Sequence, residues 1–305
     1  MVNRPRFELH VSGRKVTLGE RTLVMGVLNV TPDSFSDGGL HLTPENAIRH
    51  GVELVRQGAD WIDVGGESTR PGSQAISVEE ELRRVLPVIR GLRRKLHAVP
   101  ISIDTTKAEV ARQALDAGAS VLNDVSGLRF DPCLAELAVR YRVSLILMHL
   151  RGRPESMQRE PFARDIWRSL MTGLETSLRR ARGAGVRRSQ IILDPGLGFG
   201  KSRRQNYEIL AGLARLQRFR LPILVGSSRK SFVQAIAVGE GLEPSRAKRR
   251  RTTDRPAFGR NPTTLVTGDA AAVVAAILGG AHIVRVHDPG AILPAVRIAD
   301  ALLSV

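Results

Sequence analysis

The sequence contains a single cysteine, Cys133, among 305 residues, so no disulfide can form within the chain. A lone thiol is typical of proteins from a reducing compartment. The longest apolar run covers residues 270–278 and is too short to cross a bilayer. The first residues also lack the apolar stretch of a signal peptide. Together these absences predict a cytoplasmic protein without a membrane partner.

Acidic residues are scarce relative to basic ones, since 30 Asp and Glu stand against 46 Lys and Arg and leave a net charge of +16. Such an excess can indicate nucleic-acid binding. However, many arginines recur at helical spacing, as on solvated helix faces, and the sequence offers no dedicated aromatic platform for stacking bases. The densest basic block lies within residues 244–263, which we expect to form a solvated insertion loop. We therefore expect no nucleic-acid partner.

Two glycine-rich nucleotide motifs are missing as well. No dinucleotide fingerprint follows the first apolar run, which weakens a doubly wound open sheet as the alternative fold. The stretch from Asp194 to Lys201 is rich in glycine, but it lacks the strict spacing of a Walker phosphate loop. We therefore reject a phosphate-binding loop of that type.

Short apolar runs alternate with longer segments of helical periodicity along most of the chain. The runs cover residues 23–29, 61–65, 101–104, 121–124, 144–149, 191–194, 223–226 and 283–287. Strands that alternate with helices form parallel βαβ units, and eight such units predict a closed (β/α)8 TIM barrel. A hairpin of residues 7–11 and 15–18, within a segment of residues 5–20, is expected to cap the amino-terminal mouth. We interpret residues 1–305 as one domain.

Nearly every predicted strand ends in a polar or glycine residue. Carboxyl ends of parallel strands meet at one mouth of a barrel, where active sites lie. Asp104, Asn123 and Asp194 suit a flat heterocycle rich in N–H groups, whereas Asn29, Arg285 and His287 suit an anion, with or without a metal. Residues 226–231 follow the seventh run and open a helix, which favours an anion site. The strand ends therefore predict an active site at this mouth.

Eight motifs occur in order: LNVTPDSFSDGG, IDVGGESTRPG, SIDT, NDVSG, LMH, LDPGLGFGK, GSSRKS and RVHD. From about Leu23 to its end, the chain resembles the dihydropteroate synthases, folate-pathway enzymes of the pterin-binding family that sulfonamides target. The family joins 6-hydroxymethyl-7,8-dihydropterin pyrophosphate to p-aminobenzoate and releases pyrophosphate. The resemblance implies a transferase that uses Mg²⁺ and forms a homodimer.

The resemblance also implies roles for individual residues. It assigns pterin binding to Asp104, Asn123, Asp194, Lys230, Met148 and Phe199, pyrophosphate binding to Asn29, Arg285 and His287, and p-aminobenzoate or loop contacts to Phe35, Thr69, Arg70, Pro71 and Ser231. Asn29 would also reach the metal. Asp37, Lys230, Asp104, Arg285 and His287 would be catalytic. Departure of pyrophosphate would leave a pterin cation, which Asp37 on the first loop would stabilise.

Two alternatives belong to other functional classes. A pterin-binding methyltransferase shares the barrel and the acidic pterin pocket, but it has no need of the TPDSFSDGG loop or of an Arg/His pair for pyrophosphate. A silent barrel that binds nucleic acid would tolerate damage to the site, whereas every expected site residue is present. Both alternatives therefore explain fewer of the motifs than the synthase does.

Overall fold

The structure is a computed structural model that describes residues 4–11, 14–31, 43–70, 72–158, 162–243 and 262–305. Its ten strands in the described residues are β1 (Phe7–Val11), β2 (Arg14–Leu18), β3 (Leu23–Asn29), β4 (Trp61–Gly65), β5 (Ile101–Asp104), β6 (Val121–Asp124), β7 (Ser144–Met148), β8 (Ile191–Asp194), β9 (Leu224–Gly226) and β10 (Ile283–Val286). The helices of this part of the chain are α1 (Pro44–Arg56), α2 (Val78–Lys95), α3 (Ala108–Asp116), α4 (Cys133–Tyr141), α5 (Ile166–Gly183), α6 (Arg203–Ala211), α7 (Ser231–Ala237), α8 (Pro262–Leu278) and α9 (Pro289–Leu303), with 3-10 helices at Arg188–Gln190 and Leu213–Phe219.

Strands β3 to β10 form one parallel sheet in the order β8-β7-β6-β5-β4-β3-β10-β9. The two ends of this sheet meet, because Leu193 of β8 forms a parallel bridge with Ile223 and its N–H donates to Pro222 O at 2.9 Å. A sheet closed on itself with helices between successive strands is a (β/α)8 barrel. The predicted fold class is therefore confirmed, and the open doubly wound sheet is excluded.

Four predicted strand limits differ from the structure by one residue, and one of them is the start of β2, which lies at Arg14 and not at residue 15. His149 and His287 follow β7 and β10 instead of ending them, and Ile223 precedes β9. Both histidines lie where the strands give way to the loops of the mouth. At the predicted basic insertion, residues 262 and 263 already belong to α8, since Pro262 occupies a first helical position, where a missing N–H costs no hydrogen bond.

The helix boundaries follow local signals in the sequence. Thr43 caps α1, its side chain accepts from Asn46 N at 3.3 Å, and Pro44 starts the helix. Gly58 follows the end of α1 with φ of 102°, a left-handed conformation that favours glycine. Among the described residues, no helix combines the length and the apolar character needed to cross a bilayer.

The strands β1 and β2 pair antiparallel and cover the amino-terminal end of the barrel. Leu9, Val11 and Leu18 of this hairpin are buried in one cluster with Met25 and Trp61 from the first residues of the barrel strands. The expectation that the hairpin caps this mouth is thereby confirmed. Because side chains fill that end, polar groups accumulate at the carboxyl ends of the strands.

Candidate active site

A cavity of about 430 Å³ opens at the carboxyl ends of the barrel strands. Of the residues predicted from the sequence, those that line it are Asn29, Thr69, Arg70, Asp104, Phe199, Lys230, Ser231, Arg285 and His287. They come from the ends of six strands and the loops that follow them, so residues far apart in the chain converge as the strand-end argument predicts. The volume falls within the range typical of small-molecule sites.

Arg285 of β10 lies between two buried carboxylates. Its Nε donates to Asp63 Oδ2 at 2.6 Å, and one terminal nitrogen donates to Asp104 Oδ2 at 3.0 Å. Burial, followed by repulsion from Asp63, raises the pKa of the Asp104 carboxyl well above its ordinary value. Burial alone would lower the pKa of Arg285, but the attraction of Asp63 and Asp104 is larger than this effect. The pKa of Arg285 is therefore raised. Asp63 and the carboxyl group of Asp104 thus hold a charged guanidinium at a fixed place in the mouth.

Three predicted pterin residues, Asn123, Asp194 and Met148, are buried and do not line this cavity. Asn123 is the parallel-sheet partner of Asp104, and its amide donates to Asp63 Oδ2 at 2.9 Å. Met148 and Asp194 are likewise partners in register, and Asp194 Oδ1 accepts from Gly196 N at 2.7 Å. Burial raises the pKa of Asp194.

Lys230 crosses the cavity from the loop between β9 and α7. Its Nζ donates to Leu197 O and lies 4.5 Å from the centre of the Phe199 ring, a cation–π contact. Gly198 makes this route possible, since it has φ of +83° and a Cβ there would lie 2.9 Å from Lys230 Cδ. Burial lowers the pKa of the Lys230 ammonium to about 8, which brings it closer to losing its proton at neutral pH.

His287 stands at the end of a hydrogen-bonded chain. Its Nδ1 lies 3.2 Å from Ser228 Oγ, and that hydroxyl donates to Asp269 Oδ2 at 2.9 Å. Burial and then the positive charges of Arg285 and its neighbours lower the pKa of His287 to about 3. The imidazole is therefore neutral and the surrounding field positive, which suits an anion at this end of the cavity.

The loop after β4 is anchored by partly buried charges. Lys107 Nζ donates to Glu67 at 2.9 Å and to Glu81 at 2.6 Å, and Glu67 also accepts from Ile76 N at 2.8 Å. Glu67 lines the cavity beside Thr69, so this anchor positions the predicted loop residue. Among the described residues Glu81 Oε1 has no hydrogen-bond partner, which makes Lys107 the group that compensates the buried carboxylate.

Lys201 is buried and its Nζ donates to His149 O, Gly196 O and Phe199 O at 2.7–3.1 Å. All three of its protons are directed at backbone carbonyls, so it fixes the glycine-rich loop after β8. Burial lowers the pKa of Lys201 to about 7. The rejection of a Walker phosphate loop agrees with this arrangement, because a Walker lysine points at phosphate.

Several predicted features lie outside the described residues. They are Phe35 and Asp37 of the first loop, Pro71 of the second loop, and residues 244–261 of the basic insertion. The roles expected of them remain predictions.

The sequence interpretation counted Asp63 among the polar strand ends of the mouth but gave no individual role to Asp63, Glu67, Lys107 or Asp269, although each positions a residue of the cavity. Asp63 and Asp269 carried a detectable signal, because each is a lone carboxylate inside an otherwise apolar segment. A buried carboxylate in such a segment requires a partner. Lys107 carried no comparable signal, since it lies at the start of an amphipathic helix where a surface lysine is ordinary.

The described residues contain no group of three or more His, Cys, Asp or Glu side chains able to hold a metal ion. Mg²⁺ commonly binds through one or two protein oxygens together with substrate phosphates. The half-buried Asn29 at the end of β3 lines the cavity, and its amide oxygen lies near Gly65, so it fits this second mode and not a dedicated metal cage.

Comparison with known proteins adds independent findings. The family model described as "Pterin binding enzyme" matches residues 25–287. The dihydropteroate synthase of Synechocystis is 45% identical over 284 residues, 93% of this chain and 91% of the relative, and that of Escherichia coli is 41% identical over 92% of each. Among solved structures, the Yersinia pestis dihydropteroate synthase with a sulfonamide drug superposes with a TM-score of 0.85 at 38% identity, covering 98% of this chain and all of the other. The Xanthomonas albilineans enzyme with 4-aminobenzoic acid gives 0.84 at 39% identity, covering 99% of this chain and all of the other.

The raised pKa of Asp104 predicts how stability depends on pH. Because the folded carboxyl keeps its proton to a higher pH than the unfolded one, this group destabilises the fold increasingly as pH rises from 3.8 towards about 8. Asp104→Asn removes that penalty. The measured quantity is the free energy of unfolding of the ligand-free variant minus that of the parent. We expect this difference to be about 1–3 kcal/mol larger at pH 9 than at pH 5.

Urea unfolding at the two pH values measures this difference. Asp116→Asn, at an exposed carboxylate on α3, is the matched control and should leave the pH dependence unchanged. A variant Asp104→Asn that loses stability equally at both pH values would contradict the assignment and would mean that the carboxylate is charged and net stabilising throughout.

Proposed function

The chain belongs to the pterin-binding enzyme family, among the dihydropteroate synthases, and on that premise we propose how its residues carry out the reaction. It is a transferase of folate biosynthesis. Its substrates in this proposal are 6-hydroxymethyl-7,8-dihydropterin pyrophosphate and p-aminobenzoate. The observation that carries the proposal is one cavity lined by Arg285, His287, Lys230 and the carboxyl group of Asp104.

The pterin would lie towards Asp104, Asn123 and Asp194, because its N–H edge needs buried acceptors. A carboxylate such as Asp194 can accept two parallel N–H bonds from a guanidine-like edge. Burial raises the pKa of Asp194 because the carboxylate loses its hydration. The N–H donors along the pterin edge would replace that hydration. Lys230 and Phe199 would contact the ring from one side, with Met148 packed behind Phe199 in one apolar cluster.

The pyrophosphate would lie against Arg285 and His287. Arg285 brings a guanidinium already oriented by Asp63 and Asp104, so little reorganisation is needed when the leaving group gains charge. The pKa of His287 is lowered to about 3 by burial and by neighbouring cations, and an arriving dianion would raise it and allow the ring to donate. Mg²⁺, held through Asn29 and the phosphates, would neutralise part of the leaving charge.

The bond between the pterin methylene and the pyrophosphate oxygen would break first and leave a pterin cation. The neutral amine of p-aminobenzoate would then attack the methylene carbon and lose a proton, so no strong general base is needed. Thr69, Arg70 and Ser231 border the cavity where the aminobenzoate carboxylate would bind. Phe35, Asp37 and Pro71 would complete this subsite, with Asp37 stabilising the cation and the loops excluding water.

Release of pyrophosphate by the purified protein tests this function. With the pterin pyrophosphate, Mg²⁺ and p-aminobenzoate, we expect one pyrophosphate for each dihydropteroate formed. A chelator should reduce the rate if Mg²⁺ acts as proposed. Lys230→Met should lower kcat/KM by about 10²-fold or more, since a buried cation beside the ring is lost.

Lys15→Met is the matched control, because Lys15 lies on the hairpin at the opposite end of the barrel. Equal activity in Lys230→Met and Lys15→Met would remove Lys230 from the proposed site. Binding of the pterin without any pyrophosphate release would favour the pterin-binding methyltransferase.

We further propose that the protein is a homodimer formed through α6, α7 and α8. These helices enclose an apolar cleft of about 370 Å³ whose lining is almost free of polar atoms. A second copy of the same face would remove this surface from water. A cytoplasmic location and a one-domain organisation of residues 1–305 complete the proposal, supported by the lone Cys133 and by a family match that spans residues 25–287.

Charge on this face should break the dimer. Ala271 and Ala275 are exposed and line the cleft, so Ala271→Glu together with Ala275→Glu would bury two carboxylates at the contact. We expect sedimentation equilibrium to give a dimer for the parent and a monomer for this variant. A parent of monomer mass, or a variant that stays dimeric, would contradict the proposed interface.

A further inference from the structure

The hydrogen-bonded chain that ends at His287 determines which nitrogen of the imidazole carries the proton. Ser228 lies in the middle of this chain, in the loop between β9 and α7, and Asp269 of α8 lies at its far end. A neutral imidazole has one N–H donor and one acceptor nitrogen, so its role towards a ligand depends on the tautomer. The hydrogen bonds around Ser228 are sufficient to assign that tautomer.

Asp269 determines the direction of the Ser228 hydroxyl hydrogen. Its two oxygens accept from Arg229 N at 3.0 and 2.9 Å, and Oδ2 also accepts from Ser228 Oγ at 2.9 Å. A carboxylate is an acceptor only, so the single hydrogen of the hydroxyl points towards Asp269. Burial raises the pKa of the Asp269 carboxyl, whereas these hydrogen bonds and the charge of Arg229 lower it and favour the ionised form.

Towards His287, the Ser228 hydroxyl therefore acts as an acceptor. It has two lone pairs, and the groups that approach its oxygen are His287 N at 3.4 Å and His287 Nδ1 at 3.2 Å. Because Ser228 has no second hydrogen to donate, Nδ1 is the donor of this bond and carries the ring proton. The lone pair of the neutral ring is then at Nε2, which has no hydrogen-bond partner among the described residues, and His287 lines the cavity.

Asp269 also holds the backbone of the loop between β9 and α7. Arg229 has φ of 56°, a left-handed conformation that is uncommon for a residue with a side chain. Both oxygens of Asp269 accept from the Arg229 N–H, so the carboxylate stabilises this conformation between Ser228 and Lys230. One carboxylate therefore fixes both the loop and the direction of the hydroxyl.

Positive charges surround the ring of His287. Burial is the first cause of its lowered pKa, and four cations lower that pKa further: Arg285, Arg229, Arg70 and Lys230. The ring is therefore neutral in the ligand-free protein. In the described part of the chain, Asp269 is the carboxylate that hydrogen bonds connect to this ring, through Ser228. A carboxylate at the far end of such a chain stabilises an imidazolium once it forms.

We propose that Asp269 and Ser228 are positioning residues that keep the proton of His287 on Nδ1, so that Nε2 accepts the proton of a phosphate hydroxyl. The inference rests on the proposed function for the identity of that phosphate, which is the terminal one of the pterin pyrophosphate. On binding, the O–H bond of the phosphate breaks and leaves its electron pair on oxygen, while the lone pair of Nε2 forms the new N–H bond. When the bond between the pterin methylene and oxygen breaks, the same proton returns to the departing pyrophosphate as it gains charge.

Nitrogen NMR of the ligand-free full chain tests the tautomer, because protonated and unprotonated ring nitrogens resonate in separate ranges. The chain has seven histidines, and His287→Gln identifies the resonances of His287 by their loss. We expect Nδ1 of His287 to be protonated and Nε2 to be unprotonated. His282 is an internal reference of the opposite tautomer, since its Nδ1 accepts from Ile223 N at 3.1 Å and its Nε2 lies 3.0 Å from Pro5 O.

The variant Asp269→Asn should reverse the tautomer of His287. Its amide oxygen can still accept from Arg229 N, but its amide nitrogen donates to Ser228 Oγ. The hydroxyl hydrogen is then directed at Nδ1, and the ring proton moves to Nε2. In assays of pyrophosphate release, kcat should fall at least about tenfold with the KM for p-aminobenzoate unchanged, because the ring can no longer take the phosphate proton.

The matched control is Asp300→Asn. Asp300 also accepts from a backbone N–H and a hydroxyl, those of Thr22 at 2.8 and 2.7 Å, but Thr22 precedes β3 at the amino-terminal end of the barrel. The control should leave both the resonances of His287 and kcat unchanged. An equal fall in kcat in both variants would indicate a general effect on the fold and would overturn the positioning role of Asp269.

Saturation with inorganic pyrophosphate tests the proton transfer without the reaction. At neutral pH, where pyrophosphate still carries a proton, both ring nitrogens of His287 should become protonated in the complex. A ring that stays neutral would overturn the proposal, as would an Nε2–H tautomer in the ligand-free parent or an unreversed tautomer in Asp269→Asn. The measurement on the parent needs neither a folded variant nor turnover, so an absence of pyrophosphate release would contradict the proposed function and not this assignment.

Discussion

The buried ion pair network around Arg285 is the interaction on which the mouth of the barrel depends. A guanidinium in a protein interior is tolerated only if its partners compensate the lost hydration. Asp63 of β4 and Asp104 of β5 do so by accepting hydrogen bonds from Arg285. Asn123 of β6 donates to the same oxygen of Asp63. The network thereby links four strands, and it fixes both the cation that would hold the leaving group and the carboxylate that would face the pterin.

The remaining architecture supplies the conditions for this network. The hairpin β1–β2 fills one end of the barrel with apolar side chains, so the polar strand ends collect at the other end. Closure through Leu193 and Ile223 brings β8 next to β9, which places the loop of Asp194 near the loop of Lys230. Lys201 and Lys107 then hold the adjoining loops through buried hydrogen bonds. Rigid loops around a charged centre are a requirement for electrostatic catalysis.

The sequence was sufficient for the barrel and for most residues of the cavity, because strand ends and their polar residues follow from local pattern. It was insufficient for the groups that position them. Asp63 acts through Arg285, which lies 222 positions away in the chain, and Asp269 of α8 acts through Ser228 in the loop between β9 and α7. Such pairs depend on barrel closure and on side-chain direction, which periodicity does not encode.

A double-mutant cycle between Asp63 and Arg285 measures the central claim most directly. The variants are Asp63→Asn, Arg285→Gln and their combination, with kcat/KM for pyrophosphate release as the readout. If Asp63 acts by positioning Arg285, its removal should cost little once Arg285 is gone, and the coupling free energy should reach about 2 kcal/mol. Strictly additive losses would contradict the account, because they would show that Asp63 and Arg285 serve the reaction independently.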